Sequence, residues 1–131
     1  MYKIIKLEVC RDERGELIAV ENSRNIPFDI KRVFFLFNLT QDAKRAQHAN
    51  MKAGQLILCL DGNCEILLDD GKDKKVAIKL SRKDEAVYVE PAIWIEISGF
   101  SKDCMLLAMS EAYYDRKDQV HDYQEFAKIV Q

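Results

Sequence analysis

Blocks of like charge are missing from this chain: 20 Lys and Arg stand against 22 Asp and Glu, interspersed along 131 residues. The formal net charge of -2 and the pI near 5.7 supply no basic footprint of the kind that tracks nucleic-acid phosphates. Apolar runs long enough to span a bilayer are also missing, and Met1-Tyr2-Lys3-Ile4-Ile5-Lys6 lacks the apolar core of a signal peptide. These absences predict a soluble cytoplasmic protein with neither nucleic acid nor membrane as partner. There are four cysteines but no Cys-x-x-Cys pair, and the two histidines lie far apart, which argues against a zinc ribbon. Cys59 and Cys64 flank Asp61-Gly62-Asn63 and could face each other across a hairpin. Three of the four thiols sit in apolar runs, however, and the compartment predicts reduced structural cysteines. Fixed-period repeats, low-complexity tracts and flexible linkers are absent too, so residues 1–131 are expected to form a single domain.

What is present is a series of short β-like segments separated by turn residues, the pattern of an all-β sandwich or barrel. Ile4 to Val9 precedes the turn Arg11-Asp12-Glu13-Arg14-Gly15, and the apolar Leu17 to Val20 suit a buried strand. Lys31 to Asn38 carries Val33 to Phe37 in succession, as a strand covered on both faces would. Arg45 to Asn50, Gln55 to Leu60, Glu65 to Leu68, Val76 to Leu80, Ala86 to Val89, Ile93 to Ile97 and Met105 to Met109 follow. Asp61-Gly62 and Asp70-Gly71 mark turns. Only the C-terminus changes period: Tyr123, Phe126, Ala127 and Val130 recur at helical spacing, with Asp118 or Asp122 available as a cap. His121 falls on or near this helix and is expected to be solvated.

The chemistry-bearing stretch is Arg45-Ala46-Gln47-His48-Ala49-Asn50. On a strand, His48 and Asn50 share one face while Gln47 and Ala49 share the other. By the same rule Ile93, Ile95 and Ile97 oppose Trp94 and Glu96. Arg45 offers a fork of donors suited to phosphate or carboxylate.

Several strings, taken in order, resemble the dTDP-4-dehydro-6-deoxyglucose 3,4-ketoisomerases. They are Asp29-Ile30-Lys31-Arg32-Val33-Phe34-Phe35, Arg45 to Asn50, Cys59-Leu60-Asp61-Gly62-Asn63-Cys64, Leu68-Asp69-Asp70-Gly71, Val89-Glu90-Pro91-Ala92-Ile93-Trp94 and Tyr113-Tyr114-Asp115. The resemblance implies a cupin, that is, a double-stranded β-helix jelly roll with one C-terminal helix, assembled as a homodimer that shares N-terminal strands. It implies a dTDP-linked 4-keto-6-deoxyhexose as ligand, conversion to the 3-keto isomer for bacterial surface-polysaccharide synthesis, and neither metal nor organic cofactor. His48 then becomes the expected catalytic base, with Arg45, Asn50, Gln55, Arg32 and Trp94 on the ligand.

The family motif reads Arg-Gly-x-His-x-His, so the resemblance places Ala46 where the family has Gly and Asn50 where it has its second His. Ile95 stands where a His follows the tryptophan, Phe34 and Phe35 where paired tyrosines stand, and Gly54 where a Glu precedes Gln55. An amide cannot take up and release a proton near neutral pH, and loss of a general acid or base commonly costs roughly 10² to 10⁴ in rate. Three functions are therefore compatible with the sequence: a 3,4-ketoisomerase using His48, a non-catalytic nucleotide-sugar binder, or a cupin whose pocket is filled by side chains.

Overall fold

A computed structural model describes residues 1–131. Strands β1 (Tyr2–Lys6), β2 (Cys10–Asp12), β3 (Gly15–Leu17), β4 (Arg32–Leu36), β5 (Arg45–Asn50) and β6 (Gln55–Asp61) come first. Then follow β7 (Cys64–Asp69), β8 (Lys75–Leu80), β9 (Glu85–Val89), β10 (Trp94–Ser98), β11 (Met105–Ser110), β12 (Gln119–Val120) and helix α1 (Tyr123–Val130). Two five-stranded antiparallel sheets, ordered β1-β9-β6-β11-β4 and β12-β5-β10-β7-β8, form the jelly roll; β2 and β3 make a separate hairpin. This is the predicted cupin architecture with its single terminal helix.

Alternation decides what each strand buries. Strand β6 is apolar on both faces because it is central: Ile57 and Cys59 point between the sheets, while Leu56 and Leu58 pack under Leu7, Ile26 and Phe28 on the outside. The inter-sheet core continues through Ile66, Leu68, Val87, Ile95 and Leu106, all nearly inaccessible. Beneath α1, on the outer face of the second sheet, lie Ala49, Trp94 and Phe126. Asp122 caps this helix by accepting from the Glu125 amide at 3.0 Å, satisfying one of the free N-terminal donors. Gly71, at φ +76°, leaves room for Phe126 and Val130 to seat against the β7–β8 turn.

Two expectations fail at the edges. Strand β4 is not covered on both sides: it ends its sheet, and its alternate residues Val33 and Phe35, with Phe37 just beyond, are 46, 57 and 60 % exposed. Leu17 does not open a buried strand either; β3 is an exposed hairpin arm, and Ile18 and Val20 only pack against the Leu56–Leu58 cluster from outside.

Candidate active site

Between the sheets, at the end away from the β6–β7 hairpin, lies a half-open cavity of about 340 Å³. That is within the usual range for a small-molecule site. One wall comes from Arg32, Phe34 and Leu36 of β4, Gln55 and Ile57 of β6 and Ala108 of β11. The other comes from Lys44, with Arg45, Ala46 and His48 of β5, Ile95 and Ile97 of β10 and Gln119 of β12.

A bulge in β5 shapes this wall. Ile95 pairs with His48 but Glu96 pairs with Ala46, leaving Gln47 as the extra residue. Ala46 and Gln47 adopt φ of 64° and 54°, a left-handed conformation costly for residues with a Cβ. The bulge turns Arg45, Ala46 and His48 to the cavity together. The glycine that the resemblance would place at Ala46 fits this conformation without strain.

His48 has its Nδ1 buried and without a hydrogen-bond partner. Burial, and secondarily the nearby His121, push its pKa down to about 4, so the imidazole is neutral and able to accept a proton near pH 7. The wall offers a single imidazole and no carboxylate or thiol. Cations gather instead: Arg32, Lys44 and Arg45 all line it, and the Arg32 guanidinium lies 4.3 Å from the Phe34 ring centroid and 5.0 Å from that of Tyr114.

Among the predicted site residues, His48, Arg45, Gln55 and Arg32 meet at the cavity. Asn50 does not line it. Strand β12 pairs with β5 at this point, Gln119 takes the wall position, and its Nε2 donates to Asn50 Oδ1 at 3.2 Å. Trp94 is a clearer correction. Its register partner is Ala49, so it points out of the sandwich, where its ring centroid is 5.3 Å from Tyr123 and 5.8 Å from Phe126. Its Nε1 donates to Glu96 Oε1 at 3.1 Å. Trp94 anchors the helix and cannot touch a ligand in the cavity.

Sequence reasoning missed Lys44 and Gln119 as wall residues; His121 is exposed beside the helix, as expected, but its closeness to His48 was not foreseen. His121 precedes the Asp122 cap rather than riding on the helix, and its ring centroid lies 5.6 Å from that of His48. A two-residue strand carries too little periodicity to be read in advance. Gly54 also has a local reason: a Cβ there would strike the Tyr88 ring and hydroxyl.

Two facing antiparallel sheets that close around a small cavity rimmed with cations define a cupin-type ligand-binding jelly roll. Comparison with known proteins narrows the class. The family model described as FdtA, WxcM-like, C-terminal, matches residues 1–131, and the chain belongs to this family. It is similar to the TDP-4-oxo-6-deoxy-alpha-D-glucose-3,4-oxoisomerase of Aneurinibacillus thermoaerophilus, at 38% identity over 128 residues, covering 98% of this chain and 91% of that protein. Among solved structures it resembles a histidine-to-asparagine variant of the 3,4-ketoisomerase QdtA from Thermoanaerobacterium thermosaccharolyticum, in complex with TDP-4-keto-6-deoxyglucose. The TM-score is 0.95 at 30% identity, covering 98% of this chain and 93% of that one. It also resembles WlaRA, a TDP-fucose-3,4-ketoisomerase from Campylobacter jejuni, with TM-score 0.93 and 37% identity over 99% and 96% of the two chains.

Proposed function

We propose that this chain binds a dTDP-linked 4-keto-6-deoxyhexose between its sheets and converts it to the 3-keto isomer, with His48 moving hydrogen between C3 and C4. The observation that carries this reading is a neutral imidazole on the cavity wall beside Arg32, Lys44 and Arg45. Three cations suit a diphosphate, and the arginines offer paired donors to its oxygens. His48 takes the C3 proton while O4 gains one, giving an enediol. The hydroxyl hydrogen then leaves O3, C3 becomes the carbonyl and C4 receives its proton. Atoms and electrons balance within the sugar, so the reaction needs no external oxidant or organic cofactor. Gln55 and Gln119 offer amide donors toward the oxygen that carries developing charge.

A second reading, a binder without turnover, rests on Ile95. It is the cross-strand partner of His48 and presents an apolar group to the same cavity. Asn50 adds to it, since a related enzyme in which histidine was replaced by asparagine holds its keto-sugar. NMR of the protein with dTDP-4-keto-6-deoxyglucose in D₂O decides between the readings. Deuterium at the sugar C3 or C4 together with a 3-keto product supports the isomerase. Calorimetric binding of dTDP with no exchange supports the binder. Absence of both sinks the nucleotide-sugar assignment.

The reading extends to residues 1–131 as one cytoplasmic domain serving bacterial surface-polysaccharide synthesis, and to a homodimer. The uncovered apolar face of Val33, Phe35 and Phe37, and the exposed β2–β3 arm bearing Leu17, support a second copy as the cover.

A further inference from the structure

The register of β12 carries one more relation. Gln119 pairs with Asn50 and Val120 with Ala49, so the next antiparallel step sets His121 opposite His48. The rings bear this out, meeting edge to face at an interplanar angle of 63°. Their exposures differ: His48 is half-buried on the cavity wall, whereas His121 stands in solvent. The sequence motif supplies one imidazole on β5, and the fold brings the second from 73 positions further along (121 minus 48).

We propose that His48 and His121 form an electrostatically coupled imidazole pair that resists carrying two protons at once, with His121 as the positioning residue through which, by way of solvent, His48 exchanges its proton. His121 is not among the residues that line the cavity and so acts only through its partner. A lone, shielded base would return to C4 the same hydrogen it took from C3. A base relayed to an exposed imidazole loses that hydrogen to water before the second step. The transfer is balanced: His48 gives up the proton it accepted, and His121 passes a proton to water.

The surroundings fit single protonation. Burial and the facing His121 hold His48 neutral, while Arg32, Lys44 and Arg45 line the same cavity from β4 and from the start of β5. Glu96 of β10 is turned outward to Trp94, and the Asp122 carboxylate is spent on the Glu125 amide. Asp118, at the turn leading into β12, lines a separate pocket with Lys52 and Glu111 rather than the cavity of His48.

The first test needs no substrate. In a ¹H–¹⁵N NMR titration of the intact protein, His121→Phe should raise the His48 midpoint by about 0.5 to 2 pH units, the effect expected from removing a unit charge at this separation. His121→Gln, which keeps a polar side chain but cannot titrate, should do the same. An unchanged midpoint in both variants overturns the pair. The second test rests on the ketoisomerase reading. With C3-deuterated keto-sugar in H₂O, the wild type should release most of the label to water, and His121→Phe should retain it about 3- to 10-fold more often in the product. Unaltered retention refutes the relay. If the wild type turns over nothing while the midpoint still shifts, the ketoisomerase reading fails and the coupled pair stands.

Discussion

The two ends of the space between the sheets are built from neighbouring stretches of the same strands, yet one is sealed and the other open. At the sealed end, the Asp61-Gly62-Asn63 turn is tied to the Ser101–Cys104 segment. Ser101 Oγ accepts from the Asn63 amide at 2.9 Å, and Asn63 O accepts from the Ser101 amide at 2.9 Å. Cys59, Cys64, Phe100, Cys104 and Leu106 fill the space behind it. Burial, and then the nearby Cys104, push the Cys59 thiol up to about 11, so these cysteines pack as small hydrophobes rather than act as nucleophiles. At the open end the same alternation presents Arg32, His48, Gln55 and Gln119. Stability is thus concentrated at one end and polar chemistry at the other, and substitutions at the two ends should separate cleanly.

The largest separation is expected from restoring imidazoles at the open end. Asn50→His with Ile95→His should raise C3 hydrogen exchange by about 10² or more, since an added acid–base group is commonly worth that much and Ile95, unlike Asn50, lies on the cavity wall. Urea denaturation of the same variant should show a loss of about 1 to 3 kcal/mol, because Ile95 is fully buried and a polar ring replaces it. An exchange rate that does not move would place the missing chemistry elsewhere than these two positions. At the sealed end, Leu106→Ala removes a side chain with no accessible surface and should cost about 2 to 5 kcal/mol. Calorimetry with dTDP should find the affinity of the folded variant unchanged, and a large loss would show that the ends are coupled.

How much of this was legible beforehand follows the same division. The sealed end and the central strands could be read because burial on one or both faces writes itself into residue type, as in Gln55 to Leu60 and Ile93 to Ile97. Even the outward turn of Trp94 is implied by its alternation with Ile95; assigning it to the ligand went against that period. The open end was legible only in part. Arg45 and His48 stand in one motif, but the bulge at Ala46 and Gln47 needs positive φ at residues that do not advertise it. Gln119 and His121 reach the site through a two-residue strand, whose position is set by pairing with β5 rather than by its own sequence. Strand β4 misled for a different reason: an apolar face predicts that something in the fold covers it, and nothing in this chain does.

Acid should distinguish the ends further. The His48 pKa falls from 6.5 in the unfolded chain to about 4 in the fold, so below pH 6.5 the unfolded state binds more protons. This contribution to stability is complete above pH 6.5, declines as the pH falls toward 4, and is gone below that. Denaturation midpoints measured from pH 8 to 4 should therefore drop, and the drop should be smaller in His48→Gln. Leu106→Ala should lower the whole curve without changing its slope. Equal slopes in His48→Gln and wild type would mean that the open end admits enough water to leave His48 unperturbed.

The smallest effect tests the bulge itself. Ala46 holds φ of 64°, where a Cβ crowds the backbone and glycine does not. Ala46→Gly removes that strain but gives the unfolded chain more freedom, so the two terms oppose. Relief of strain should win, with a gain of about 0.5 to 1 kcal/mol by thermal denaturation. Because Ala46 also lines the cavity, the same variant reports on the site. If stability rises while dTDP affinity holds, the wall geometry is set by pairing with β10, and the alanine is merely tolerated. If affinity falls as stability rises, the strained bulge is what turns Arg45 and His48 toward the ligand.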